Sequence, residues 1–95
     1  MSLEEALNQF INNEKTANDI EQGINDGTII YNINNDFDFA NITRELNKLY
    51  SSIMNKPVMY PRNSSRKQNL INLLKAIESK TDIEKYYSSN DFNAM

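Results

Sequence analysis

Five apolar residues in the C-terminal half constrain this chain most. Leu70, Ile71, Leu73, Leu74 and Ile77 are spaced for a helix, and at 100° per residue they cover an arc of roughly 160°. A helix that packs on one side shows an apolar stripe of about 100° or a little more. This helix therefore needs two neighbours. Apolar residues fill only 39% of the 95 positions, so the neighbours must be the few other apolar stripes, or one of them a second protomer. Size argues the same way, because a domain this small buries only about 60–65% of its unfolded surface. Residues 1–95 read as a single helical domain, and a homo-oligomer is expected.

The helix carrying that arc starts at Ser64 or Ser65, where Ser65-Arg66-Lys67-Gln68 has the spacing of a capping box. Upstream, Phe39, Ile42, Leu46, Leu49, Tyr50 and Ile53 form one stripe of an amphipathic helix. Asp38 is its expected N-cap and Pro57 its stop. Residues 56–63 hold both prolines of the chain, which predicts a semi-rigid connector.

At the N-terminus Ser2-Leu3-Glu4-Glu5 is another capping box, followed by Leu3, Ala6, Leu7, Phe10 and Ile11 at helical spacing. The stripe resumes at Ala17, Ile20 and Ile24 and ends near Asp26-Gly27, so one bent helix or two short ones are expected there. Thr28 to Ile33 is the only β-prone run, and Asn34-Asn35-Asp36 is turn chemistry. Thr81-Asp82-Ile83-Glu84 predicts a separate last helix with Ile83, Tyr86 and Tyr87, and residues 88–95 are expected to fray. The fold class is mainly α: a small bundle of three to four helices with a helical hairpin over about 39–79. A short β-ribbon at 28–39, or a helix overriding the local propensity, completes it.

Three residue types are missing, and their absence narrows function. Without Cys, His or Trp there is no zinc site, thiolate nucleophile, disulfide or imidazole base. The acids show no calcium-loop spacing and no paired-carboxylate cleft. A non-catalytic binding protein without a cofactor is expected. No run of about 18 apolar residues offers a membrane span, and the acidic N-terminus is no secretory signal, so a cytoplasmic location follows.

Charge is segregated along the chain. The formal net charge of -3 hides a block at residues 1–40, where Glu4, Glu5, Glu14, Asp19, Glu21, Asp26, Asp36 and Asp38 face only Lys15. In residues 41–80, Arg44, Lys48, Lys56, Arg62, Arg66, Lys67, Lys75 and Lys80 face only Glu45 and Glu78. Either the two blocks pack on one another or the basic one is a patch for phosphates. Its densest part is Tyr60-Pro61-Arg62-Asn63-Ser64-Ser65-Arg66-Lys67. Helix starts bind anions through unpaired amides and disfavour cations, so three bases there need a reason. A bound phosphate supplies one, with Ser64 and Ser65 as hydroxyl partners and Tyr60 stacking on a base ring. Arg44 and Lys48, one helical turn apart, would extend the patch. Solvated helix faces and core-edge tyrosines are the plain alternative.

From Arg44 to Ile77 the layout is an amphipathic helix, a proline-bearing connector and a second helix opened by Ser65-Arg66-Lys67-Gln68-Asn69-Leu70. This resembles the helical hairpin of the small phage proteins that sequester cyclic oligonucleotide signals, the anti-CBASS sponge family. Pro61, Ser65, Arg66 and Leu70 carry the likeness. The first 38 residues do not match, which leaves that family's N-terminal ligand contacts unassigned. The resemblance implies an oligomeric nucleotide-binding protein that blunts a bacterial immune signal in the host cytoplasm. The heavy use of Asn is what an AT-rich phage or low-GC bacterial genome would give.

A reading of another class is an acidic protein–protein inhibitor that mimics nucleic-acid phosphates, with Glu14, Asp19 and Glu21 on the working face and a host or phage nucleic-acid enzyme as partner. A bacteriocin immunity protein is a third, disfavoured because the best hairpin lies near the C-terminus. Duplex DNA is disfavoured by the negative net charge and the lack of a recognition-helix motif.

Overall fold

Ser2 caps the first helix as its spacing predicts, its hydroxyl accepting the Glu5 amide at 3.1 Å at the start of α1 (Leu3–Ile11). In the computed structural model, which describes the backbone of residues 1–94 and the side chains of residues 1–80, five helices follow one another. The N-terminal stripe is two helices. Asn13 takes a left-handed φ of 65°, a conformation Asn tolerates better than most residues, and the chain re-enters at α2 (Ala17–Asp26). Thr16 and Asp19 close a reciprocal capping box there, at 3.0 and 3.1 Å. Gly27 ends α2 in the expected left-handed cap, φ 85°.

Glycine has a second role inside α2. A β-carbon at Gly23 would sit 2.6 Å from Ile29 Cγ1, and Ile29 is itself buried. Alanine usually stabilises a helix over glycine by about 0.8–1 kcal/mol. Here overpacking, at about 1–3 kcal/mol, outweighs that gain. Gly23→Ala will lower the unfolding midpoint in a thermal melt; a rise would mean that Ile29 does not close over α2.

No ribbon forms at 28–39. The extended segment after Gly27 makes one parallel bridge, Ser2 with Ile30. The Ile30 amide donates to the Met1 carbonyl at 2.9 Å, and the Met1 ammonium donates to the Thr28 carbonyl at 3.0 Å. Ile29 and Ile33 point inward while Ile30 points out, the alternation of a strand without a hairpin partner. The partner is missing because Asn35 caps a helix where turn chemistry was expected: its side chain accepts the Asp38 amide at 2.8 Å, opening α3 (Asp36–Ile42).

The cap expected at Asp38 therefore belongs to Asn35, and the long helix expected from 38 onward is two. Thr43 separates α3 from α4 (Arg44–Met54). It is fully buried, and its hydroxyl donates back to the Phe39 carbonyl at 2.7 Å, a contact that bends helices. Asn55, φ 56°, ends α4 just before Pro57.

The last helix, α5 (Arg66–Ala94), opens at Ser65, whose hydroxyl accepts the Gln68 amide at 3.1 Å. It passes through Thr81 without a break, which corrects the separate terminal helix. No Gly or Pro lies between residues 66 and 94, and extending an existing helix is far easier than nucleating a new one. The roles expected of Ile83, Tyr86 and Tyr87, and the fraying expected of 88–95, fall outside the described side chains.

α5 packs between α4 and α2, with α1 on α2 and α3 on α4. All five residues of the wide arc are buried. Both neighbours of α5 belong to the same chain, so the arc itself supplies no reason for a second protomer. The Glu78 carboxylate of α5 accepts the Ala17 amide at 2.8 Å and so caps α2 from sixty-one residues away. The fold is a small, mainly α-helical bundle.

Candidate ligand-binding site

The segregated charge is partly used up inside the molecule. Arg66 Nε lies 2.8 Å from Asp36 Oδ1, and Lys75 Nζ 3.2 Å from Glu21 Oε1. Each pair joins the acidic N-terminal block to the basic block. Exposed pairs like these contribute roughly 0.2–1 kcal/mol, so they set how the segments lie more than how firmly. Arg66 also faces Tyr31, where burial raises the phenol pKa and the guanidinium opposes that rise.

The residues expected to hold an anion therefore divide. Arg66 is turned to Asp36. Arg62 and Lys67 have no carboxylate within 4 Å among the described residues. At the start of α5 Ser65 satisfies the amides of Gln68 and Asn69, and those of Arg66 and Lys67 have no protein acceptor among the described residues. These amides and cations fall within residues 62–67, and the start of a helix can hold a phosphate.

Arg44 and Lys48 are satisfied within their own stretch of chain. Arg44 donates to Asn41 Oδ1 at 3.0 Å, and Lys48 lies 3.5 Å from Glu45. Neither lines a cleft with the α5 start, so they read as an ordinary exposed face.

Tyr60 is anchored. Its ring meets Phe39 edge-on with centroids 5.2 Å apart, its hydroxyl donates to Asn47 Oδ1, and burial pushes its pKa above the ordinary phenol value. Tyr60 also lines a cleft of about 240 Å³ between Tyr50, residues 58–61 and α5.

Asn69 lines the same cleft and was not singled out from sequence. It is 8% exposed, and its buried Oδ1 has no hydrogen-bond partner among the described residues. Leaving such an atom unsatisfied costs about 1–3 kcal/mol. One signal was available: Asn69 lies one helical turn before Leu73, on the edge of the apolar arc. Around α5, Arg66 sits roughly 60° from Asn69 and Lys67 roughly 160°. Lys67 therefore lies on nearly the opposite side of α5 from the cleft.

The acidic alternative is dispersed too. Asp19 is committed to the Thr16 cap, whose hydrogen bonds hold its pKa below the ordinary carboxylate value. Glu21 is paired with Lys75. Glu14 and Asp19 share the rim of a cleft of about 470 Å³ with Glu78. Among the described residues no helix is long and apolar enough to cross a membrane. No protein-family model, curated protein or solved structure matches the chain.

Proposed function

We propose that this chain is a non-catalytic binding protein that takes a phosphate-bearing ligand, a cyclic oligonucleotide, at the start of α5. In this reading it is phage-encoded and removes a defence signal from the host, as its likeness to the sponge proteins implies. One observation carries the reading. The internal ion pairs engage Arg66, Lys75, Glu21 and Asp36 but neither Arg62 nor Lys67, and among the described residues the amides of Arg66 and Lys67 have no protein acceptor. A phosphate at the helix start would offer acceptors to groups of this kind. The nucleic-acid mimic has less support, because two of its three acids already have internal partners.

Equilibrium binding of cyclic di- and trinucleotides to two charge-neutralised variants tests the choice. Arg62→Gln with Lys67→Gln removes two charge-assisted contacts, each worth about 1.5–3 kcal/mol, so affinity will fall on the order of 100-fold or more. Neither side chain makes an ion pair or hydrogen bond among the described residues, so the fold is expected to be unchanged. Glu14→Gln, Asp19→Asn and Glu21→Gln together will leave nucleotide affinity within a few-fold. The opposite pattern, with a macromolecular partner lost only in the acidic variant, would replace this reading with the inhibitor.

A further inference from the structure

We infer that copies of this chain associate head to tail, the basic connector of one copy seating Met59 in an acid-rimmed groove of the next. The inference goes beyond nucleotide binding and does not depend on it. The groove, about 490 Å³, lies between α1, residues 32–33 and the α3–α4 pair. Ile11 and Ile42 line it and are half-buried, so it offers apolar surface to a partner.

Its charges are all of one sign. Glu4, Asp38 and Glu45 line the groove, and no Lys or Arg does. Each sits in the first turn of its helix, where an acid suits the dipole. That accounts for an acid at each helix start but not for three of them lining one groove. Glu45 meets Lys48 at 3.5 Å, whereas Glu4 and Asp38 make no ion pair among the described residues. Nor do three acids of the described residues come together to hold a metal ion. The groove calls for cations spread along a surface that also carries an apolar side chain.

That surface is present on the same molecule. Met59, 84% exposed, is the most exposed large apolar side chain among the described residues, so it does not enter the groove of its own copy. Lys56 and Arg62 stand three residues to either side of it, and neither has a carboxylate within 4 Å among the described residues. Connector and groove thus match in charge and in apolar character. Because the two surfaces differ, the contact is heterologous, and chains add head to tail into a ring or an open filament. One connector in one groove is a small interface, so association will be weak and concentration-dependent.

Sedimentation velocity of the whole chain over a concentration series tests this. The average mass will rise with concentration at about 0.05 M salt and less at about 0.5 M, where charge pairs are screened. Met59→Ala with Lys56→Gln will weaken association by about 10–100-fold, the value of one buried apolar side chain. Glu4→Lys with Glu45→Lys sets like charges against the connector and will weaken it by at least about 10-fold. All four positions are exposed, so helix content by circular dichroism will match the parent. Mixing the two variants is the decisive arm. Each supplies the surface that the other lacks, so together they will form dimers and nothing larger.

A parent chain that stays monomeric at about 1 mM in low salt would overturn the proposal. So would a mixture of the two variants that stays monomeric, or association that survives in both variants alone. A monomeric parent that binds an unrelated amphipathic Lys/Leu peptide, lost in Glu4→Lys with Glu45→Lys, would also overturn self-association and give the groove to another basic protein.

Discussion

Leu74→Ala will cost this protein a large share of its stability, with an expected loss of about 2.7–5 kcal/mol and a midpoint lower by roughly 10–40 °C. Leu74 is completely buried on the helix that packs against both α2 and α4. Truncation therefore leaves a cavity where few neighbours can collapse, and the penalty is the lost transfer energy plus that cavity. A domain of this size has only about 5–15 kcal/mol in total. The informative control is Phe37→Ala. Phe37 is a larger apolar side chain but 74% exposed, and surface substitutions shift stability by less than about 0.5 kcal/mol. Leu74→Met keeps the volume and will cost less than about 1.5 kcal/mol. Comparable losses for Leu74→Ala and Phe37→Ala in urea titrations would mean that α5 is not the central element.

Legibility in the sequence followed the range of the interactions. The starts of α1 and α5 were readable because Ser2 and Ser65 act on amides three residues away, and the end of α2 because Gly27 alone can turn the chain there. The width of the α5 arc correctly demanded two neighbours. Their identity, α2 and α4 of the same chain, depends on folding over sixty residues and has no local trace. Residues 28–39 were unreadable for a related reason. The Ile30 bridge partner is Ser2, and Asn35 is equally suited to a turn or a helix cap, so the element that wins is decided by tertiary contacts.

Local patterns also over-promised. Thr81 has a capping-box spacing inside a helix that continues, and Thr43 interrupts a helix whose apolar stripe runs through it unbroken. For the candidate site the blocks of charge were plain, but their pairings were not. Arg66 was one of the expected anion ligands and is turned to Asp36, thirty residues upstream. Asn69 was not singled out, and its oxygen is buried without a hydrogen-bond partner among the described residues. In both cases burial and partner, and not residue type, decide what the side chain can do.

A cyclic oligonucleotide present at about 100 times its dissociation constant will raise the unfolding midpoint by roughly 10–20 °C. The arithmetic is mass action: that excess adds about 2.7 kcal/mol, and a domain this size gains about 4–8 °C per kcal/mol. Linear mononucleotides and inorganic phosphate, which fill only part of the site, will shift it less at equal concentration. Arg62→Gln with Lys67→Gln will melt like the parent without ligand, because neither side chain makes an ion pair among the described residues, and at the same ligand concentration will shift by no more than about 3 °C. The response will weaken in high salt, since exposed charges separated by a Debye length of about 8–10 Å are screened under ordinary buffer conditions and more closely spaced ones as salt rises. Protein concentration carries a second reading from the same melts. A monomer's midpoint is independent of it, whereas an obligate oligomer's rises with it. An unliganded midpoint that stays fixed while the liganded one climbs with protein concentration would mean that the ligand itself joins protomers, which would reconcile a self-contained bundle with an oligomeric sponge. A midpoint that no nucleotide moves would sink the sequestration reading and direct the search to a macromolecular partner.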